Sequence, residues 1–208
     1  MKKFYPAAAA LVFAFALAAF AASPSARATD DSASPAPVRL GAMVEDFKLA
    51  DVDGQEHTLA SLKGKHGTVL IFIAVQCPVS NAYNERMEKL YEDYKARGVA
   101  VVGINANSTE SPADVKAHAK EKNLNFVILK DKDNRIADRL GAGHTPEAFF
   151  LDASGKLVYH GAIDNSMNPV MVNTNHLRNA IEATLEGKQV ERADVKAFGC
   201  SIKRAGSM

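Results

Sequence analysis

One stretch constrains the fold of this chain more than any other: residues 68–75 form a continuously apolar run rich in β-branched side chains. An apolar run without polar alternation is typical of a strand buried on both faces, as in a parallel sheet. Cys77 and Pro78 follow almost at once, and proline is favoured in the first turn of a helix. The sequence therefore predicts a buried strand that leads directly into a helix, with a cysteine at the junction.

The rest of the chain repeats this order of strand and helix. The helix that begins after Cys77 is predicted to continue without a break to Lys95, and Gly98 ends it. A hairpin around Asp53-Gly54 precedes these units, and a second hairpin joins residues 148–151 to residues 156–160. Such alternation predicts an α/β fold, with a mixed central sheet flanked by helices, an N-terminal hairpin and a C-terminal extension. Further strands are predicted at residues 99–104 and 126–129, and further helices at residues 111–122, 134–140 and 174–185.

The first residues are predicted to be a secretory signal peptide. Lys2 and Lys3 give a positive start, residues 7–22 are small and apolar, and Ala26-Arg27-Ala28 ends the segment with a small-x-small pattern. The mature protein is then periplasmic or secreted, and it contacts the membrane only if this segment is retained. The predicted organisation is a signal peptide at 1–28, a flexible leader at 29–39, the α/β domain at 40–186 and a C-terminal tail at 187–208.

Charge and composition exclude several classes of protein. The chain has 25 Lys and Arg against 24 Asp and Glu, without a basic stripe, so a nucleic-acid partner is not expected. Its two cysteines are too few for a disulfide-rich scaffold or an all-cysteine zinc site. The histidines lack the spacing of metal ligands, so neither a metal nor another cofactor is predicted. A copper site formed by Cys77 and His144 is kept as part of a non-catalytic alternative.

Cys77 is the strongest candidate for chemistry. The carboxyl edge of an open α/β sheet is where ligands collect, and a helix N-terminus presents unpaired N–H groups with a partial positive charge. Both effects stabilise a thiolate, which is the nucleophilic form of cysteine. The alternative is a buried, inert cysteine that packs as a small apolar residue.

Several segments together resemble one known family. The run from residue 70 to Ser80 is similar to the active-site strand and helix of the thioredoxin fold, and His144-Thr145-Pro146 is similar to the segment of that fold that carries a cis-proline. With Tyr83, Arg86 and the terminal run Gly199-Cys200-Ser201-Ile202-Lys203, residues 40–204 resemble the peroxiredoxin-like branch of the alkyl hydroperoxide reductase/thiol-specific antioxidant (AhpC/TSA, or redoxin) superfamily.

The resemblance implies roles for the segment before residue 147. Pro146 is expected to be cis and to lie beside Cys77, and Thr145 is expected to offer its backbone to a substrate chain by strand addition. His144 either pairs with the thiolate and lowers its pKa or faces solvent as a loop residue.

The chain also departs from its family patterns. Ser80 stands where thioredoxins carry their second cysteine, so a disulfide between positions 77 and 80 is excluded. Leu70 and Ala74 stand where peroxiredoxins carry the proline and the Thr or Ser that hold peroxide. Arg86 is expected to be an ordinary solvated helix residue rather than a group that reaches the thiolate.

Cys200 leaves three interpretations open. It resolves an oxidised Cys77 through a transient disulfide, it forms a permanent structural bridge with Cys77, or both thiols remain free. The first interpretation predicts an exported thiol-dependent oxidoreductase that acts on protein disulfides or small peroxides and is reduced again by a thioredoxin-fold partner. The alternatives are a peroxiredoxin-type peroxidase and a non-catalytic module that binds a partner or copper.

Overall fold

The computed structural model describes residues 1–3 and 36–206. The predicted signal peptide beyond residue 3 and residues 29–35 of the predicted leader lie outside the described residues. No helix in the described part of the chain is both long and apolar enough to cross a membrane. The described residues from 36 to 206 belong to one compact unit, and that unit contains every strand and helix described below.

A mixed eight-stranded sheet forms the centre of this unit. Strand β3 pairs in parallel with β4 and antiparallel with β7, so it lies in the middle of the sheet. The spatial order is β2-β1-β5-β4-β3-β7-β8-β9, and a separate two-stranded sheet pairs β10 with β6. The strands are β1 (Lys48–Asp51), β2 (Glu56–Thr58), β3 (Gly67–Ile73), β4 (Val99–Asn105), β5 (Val127–Lys130), β6 (His144–Thr145), β7 (Glu147–Asp152), β8 (Leu157–Gly161), β9 (Asp194–Val195) and β10 (Cys200–Ser201).

The helices cover both faces of the sheet. All seven residues of β3 are buried, as the apolar run predicted, and the side chains from Val69 to Ile73 alternate between two apolar clusters. One cluster contains Val69 and Ile71 with residues of α3, α4 and α6, and the other contains Leu70 and Phe72 with residues of α1 and α5. The helices are α1 (Leu59–Leu62), α2 (Pro78–Ala82), α3 (Asn84–Lys95), α4 (Pro112–Glu121), α5 (Arg135–Leu140) and α6 (His176–Leu185).

The helix after Cys77 is not continuous, and on this point the prediction was wrong. It is divided into α2 and α3 at Tyr83, whose backbone has φ −100° and ψ −5° and whose N–H donates to the carbonyl of Ser80. The phenol ring is buried, and its hydroxyl donates to Asp164 at 2.7 Å. A tertiary contact more than 80 positions away therefore fixes a break that helical periodicity does not reveal.

Three strands were not predicted, because each has only two residues and shows no periodicity. They are β6, β9 and β10, and two of them lie beyond α6 in the predicted tail. β9 extends the main sheet by pairing in parallel with β8, and β10 pairs antiparallel with β6. The tail is thus part of the folded unit. At the other end, Val38 of the predicted leader donates its N–H to the carbonyl of Arg139.

Candidate active site

Cys77 lies between β3 and α2, where the sequence placed it. It is the N-cap residue of α2, Pro78 follows in the first turn, and Sγ accepts a hydrogen bond from the N–H of Ser80 at 3.3 Å. Only 2% of Cys77 is exposed. The sulfur therefore occupies the end of a helix that presents N–H groups to it, but other parts of the chain cover it.

The first covering segment is the one that contains Pro146. The Thr145–Pro146 bond is cis, which confirms what the resemblance implied. The thiol of Cys77 donates to the carbonyl oxygen of Thr145 at 3.2 Å, across 68 positions of sequence. Thr145 itself is buried, and within the described residues its hydroxyl has no hydrogen-bond partner.

The second covering segment is the tail. Antiparallel pairing of β10 with β6 places Cys200 opposite Thr145 and Ser201 opposite His144. Both cysteines are free, and Cys200 stands opposite the residue whose carbonyl accepts from the Cys77 thiol, so each thiol affects the pKa of the other. The two cysteines, 123 positions apart in sequence, thus meet at one site.

The two thiols differ in acidity. Burial raises the pKa of Cys77, but hydrogen bonds with the Cys200 thiol, with Thr145 and with the N–H of Ser80 outweigh it, so the pKa lies below its ordinary value. The hydrogen bond with Cys77, followed by burial and the negative charge of the Cys77 thiolate, raises the pKa of Cys200. Cys77 is therefore the group that ionises first.

His144 does not pair with the thiol. It is a strand residue rather than a loop residue. Because successive side chains of a strand point to opposite sides, the His144 ring lies on the side of β6 opposite the Thr145 side chain. Its Nδ1 lies 3.9 Å from Oε2 of Glu147, and no hydrogen bond or ion pair joins it to Cys77 within the described part of the chain. His144 therefore does not lower the thiol pKa by direct contact in this structure, and 43% of its side chain is exposed, in agreement with the alternative that it faces solvent.

Arg86 is not a solvated helix residue, which corrects another expectation. Its guanidinium donates to Asp164 at 2.6 Å and to the carbonyl of Ser166 at 2.8 Å, and it stacks over the ring of Tyr83 at 3.6 Å. These partners lie in the loop before α6, which no local pattern connects to α3. The guanidinium thus ties that loop to the break between α2 and α3.

Sequence reasoning missed Glu110, a buried carboxylate that holds the loop before Cys77. Its oxygens accept hydrogen bonds from the N–H groups of Val75 at 3.0 Å and Gln76 at 2.9 Å. They also accept from the side-chain amides of Asn105 at 2.5 Å and Asn107 at 3.1 Å. Burial raises the pKa of Glu110, but these bonds outweigh it and the pKa lies below its ordinary value.

The same cluster reaches the tail. Oδ1 of Asn107 accepts a hydrogen bond from the N–H of Lys203 at 2.8 Å, and the N–H of Ser108 donates to the carbonyl of Lys203 at 2.9 Å. Glu110 therefore lies between the segment that carries Cys77 and the segment that carries Cys200. An isolated acidic residue in a loop gives no sequence signal for this position.

A second buried carboxylate, Glu147, holds the cis-proline segment. It accepts hydrogen bonds from the N–H groups of Gly143 at 2.7 Å and His144 at 2.8 Å, and from Nε2 of His160 at 2.6 Å. Burial raises its pKa, and these bonds reverse the direction, so the pKa lies below its ordinary value. Within residues 1–3 and 36–206, no group of three or more His, Cys, Asp or Glu side chains is arranged to hold a metal ion.

Three features together define the thioredoxin-like class: a central mixed sheet, a cysteine at the N-terminus of the helix after β3, and a cis-proline beside that cysteine. Solved structures of similar fold agree with this class. The family is also clear. The model of the AhpC/TSA family matches residues 40–160, and the chain belongs to that family. It is an oxidoreductase, as predicted.

The relatives agree with this assignment. The chain is similar to the thiol-disulfide oxidoreductase ResA of Geobacillus thermodenitrificans, with 31% identity over 120 residues that cover 58% of this chain and 67% of ResA. Among solved structures, a hypothetical protein of Sinorhizobium meliloti 1021 is 34% identical, with 82% of this chain and 97% of that chain covered and a TM-score of 0.74. An uncharacterized conserved protein of Geobacillus kaustophilus is 32% identical, with 82% and 94% covered and a TM-score of 0.76.

Proposed function

We propose that this protein is an exported thiol-disulfide oxidoreductase in which Cys77 is the nucleophile and Cys200 resolves the mixed disulfide. The observation that carries the proposal is geometric: Cys200 lies opposite Thr145, and the Cys77 thiol donates to the carbonyl of the same Thr145. Both thiols are free, and their pKa values are shifted in opposite directions. Such a pair separates the roles of the attacking and the resolving thiol. The name of ResA supports the same reaction class.

In the first step the Cys77 thiolate attacks one sulfur of a protein disulfide. The substrate S–S bond breaks, a bond forms between Sγ of Cys77 and that sulfur, and the other substrate sulfur leaves as a thiolate. Hydrogen bonding by the N–H of Ser80 stabilises the ionised sulfur until the attack.

In the second step Cys200 becomes reactive because Cys77 is no longer a thiolate. The Cys77 thiolate raises the pKa of Cys200 through a hydrogen bond and through its charge. A mixed disulfide carries no such charge, so the pKa of Cys200 falls when its thiolate is needed. That thiolate attacks Sγ of Cys77, the Cys77–Cys200 disulfide forms, and the second substrate sulfur leaves. An external dithiol of a thioredoxin-fold partner then reduces the protein.

Intact mass after reaction with one equivalent of glutathione disulfide tests this scheme. Reduced wild-type protein is expected to lose two hydrogens, because the pair closes and two molecules of glutathione are released. The variant Cys200→Ser is expected to stop one step earlier and to gain the mass of one glutathione on Cys77. A wild-type product that keeps glutathione, or a Cys200→Ser product without it, contradicts the proposed order.

A small peroxide is the second candidate substrate, because Cys77 is buried next to the hydroxyl of Thr145, which has no hydrogen-bond partner within the described residues. In that reaction the thiolate attacks a peroxide oxygen, the O–O bond breaks, water leaves after protonation and a sulfenic acid forms, which Cys200 converts to the disulfide with loss of a second water. Leu70 and Ala74 replace the peroxide-binding motif of peroxiredoxins, which favours a disulfide over a peroxide as the substrate.

Consumption of hydrogen peroxide no faster than by free cysteine is the expected result. A non-catalytic binding or copper module predicts no reaction with either reagent.

Export is proposed from the N-terminal residues. The charged start, apolar centre and Ala26-Arg27-Ala28 exit predict removal of residues 1–28. A fold neighbour from Mycobacterium tuberculosis is described as secreted. N-terminal sequencing of the protein from its native host is expected to begin at Thr29. A chain that begins at Met1 in the cytosolic fraction contradicts export.

A further inference from the structure

The tail occupies the place where the cis-proline segment would otherwise present a free strand edge. β6 pairs on one side with β10 alone in the described part of the chain, so without the tail its edge is open to another extended chain. The N–H of Ile202 continues this pairing by donating to the carbonyl of Gly143 at 3.0 Å. Residues 199–204 are called the strap below.

The strap also closes the site. Cys77 is 2% exposed, although an attack on a disulfide needs all three sulfur atoms nearly in line and in contact. Cys200 stands opposite Thr145, whose carbonyl accepts from the Cys77 thiol, and the strand that carries Cys200 has only two residues. A protein substrate therefore reaches Cys77 only when the strap leaves, and short edge pairings open at low free energy compared with the core.

We propose that the strap is an internal substitute for the substrate, and that the groove it fills accepts an extended partner chain with the pattern glycine, cysteine, any residue, aliphatic residue. This inference rests on the proposed function, since it assigns the substrate class of the same site. The partner and the strap exclude each other. The strap leaves to admit the partner chain. Once the mixed disulfide has formed, the residues that flank the partner's cysteine leave β6, and the strap returns with Cys200 to resolve the disulfide.

The pattern begins with glycine because the backbone of the strap lies very close to the backbone of β6 at that position. Gly199 has φ +150°, a conformation that side chains other than hydrogen disfavour, and a Cβ there would lie 2.1 Å from the carbonyl oxygen of Thr145. A chain that places its cysteine opposite Thr145 in the same register meets the same oxygen one residue earlier. The groove thus selects glycine before the cysteine.

The aliphatic residue follows from a pocket on the other side of the cysteine. Ile202 is 6% exposed and belongs to the apolar cluster that also contains Ile136, Leu140 and Ala142. Ser201, between the cysteine and the isoleucine, is exposed, so the groove does not select a particular residue at that position. Pairing of alternate side chains with a pocket is the usual source of specificity in strand addition.

Peptide exchange on the full-length Cys200→Ser variant tests the pattern. The probe is a peptide with the sequence of residues 198–204 whose cysteine carries 5-thio-2-nitrobenzoate in a mixed disulfide. Attack by Cys77 forms a disulfide with the peptide and releases the coloured thiolate. We expect this peptide to react at least tenfold faster than one with alanine in place of the glycine, and than one with aspartate in place of the isoleucine. The glutathione mixed disulfide with the same leaving group is the pattern-free reference.

A second arm removes the strap from the groove. Ile202→Asp in the Cys200→Ser protein is expected to accelerate the reaction with the unmodified peptide at least tenfold, whereas the matched change Val170→Asp, at an exposed apolar residue, leaves it unchanged. Equal rates for the three peptides, with normal reaction of the glutathione reagent, overturn the groove pattern and leave the proposed function intact. Failure of Cys77 to react with any reagent, with the strap docked or released, overturns both.

Discussion

We expect Cys77→Ser to lower the rate of thiol-disulfide exchange by at least about a thousandfold, because a thiolate is the attacking group and a serine hydroxyl does not ionise near neutral pH. The change is nearly isosteric and lies at a residue that caps α2 through an acceptor atom. A serine oxygen can also accept from the N–H of Ser80, so the fold is expected to survive. Stopped-flow kinetics with a protein disulfide, together with thermal unfolding, measure both quantities.

The control is the matched variant Cys200→Ser. It keeps Cys77, so its first exchange step is expected to remain within about tenfold of wild type while turnover stops. If Cys77→Ser retains exchange and Cys200→Ser loses it, the roles of the two residues are reversed.

The pH dependence gives a second check on the same residue. The pKa of Cys77 is lowered, so its thiolate persists to lower pH than that of an ordinary cysteine. The rate at which Cys77 of the reduced wild-type protein attacks a disulfide is therefore expected to rise with pH and to reach half its plateau below the ordinary thiol pKa value of 9.0. A midpoint at or above that value contradicts the hydrogen bonding described at the sulfur.

We expect Glu110→Ala to lower the free energy of unfolding by about 3 kcal/mol, because it leaves buried hydrogen-bond donors without an acceptor. Those donors are the N–H groups of Val75 and Gln76 and the amides of Asn105 and Asn107. Denaturant unfolding at neutral pH measures the change. Glu186→Ala removes an exposed carboxylate that pairs with a lysine and is expected to cost less than about 1 kcal/mol.

Glu110 also has a signed pH dependence. Its pKa is lower in the folded protein than the ordinary value of 4.5, so ionisation stabilises the fold fully above that value. This stabilisation is lost as the pH falls from 4.5 through the lower folded pKa. The difference in unfolding free energy between wild type and Glu110→Gln should therefore shrink over that range. A difference that stays constant with pH contradicts the assignment of an ionised carboxylate.

Glu110→Ala should act on chemistry as well as on stability. The carboxylate joins the loop before Cys77 to Asn107, which holds the strap through Lys203. Without the carboxylate, hydrogen bonds no longer link the segment that carries Cys77 to the segment that carries Cys200. The rate of forming the Cys77–Cys200 disulfide is therefore expected to fall more than the rate of the first attack on substrate.

The sequence predicted features that depend on local order. The apolar run at residues 68–75, the proline after Cys77 and the alternation of strands with helices are enough to predict the sheet, its layers and the place of Cys77 at a helix N-terminus, because burial and helix capping act over a few residues. Residues similar to a known family added the cis-proline at Pro146. These are the parts that the structure confirms.

Tertiary structure alone decided how distant segments meet at Cys77. The break at Tyr83 depends on Asp164, the pairing of Cys200 with Thr145 depends on a two-residue strand, and the loop before Cys77 depends on Glu110. Each contact joins residues that are far apart in sequence, and a single buried polar group or a two-residue strand leaves no periodic pattern. The position of Cys77 could thus be predicted from the sequence, whereas its pKa, its burial and its proximity to Cys200 are set by chain segments that only folding brings to it.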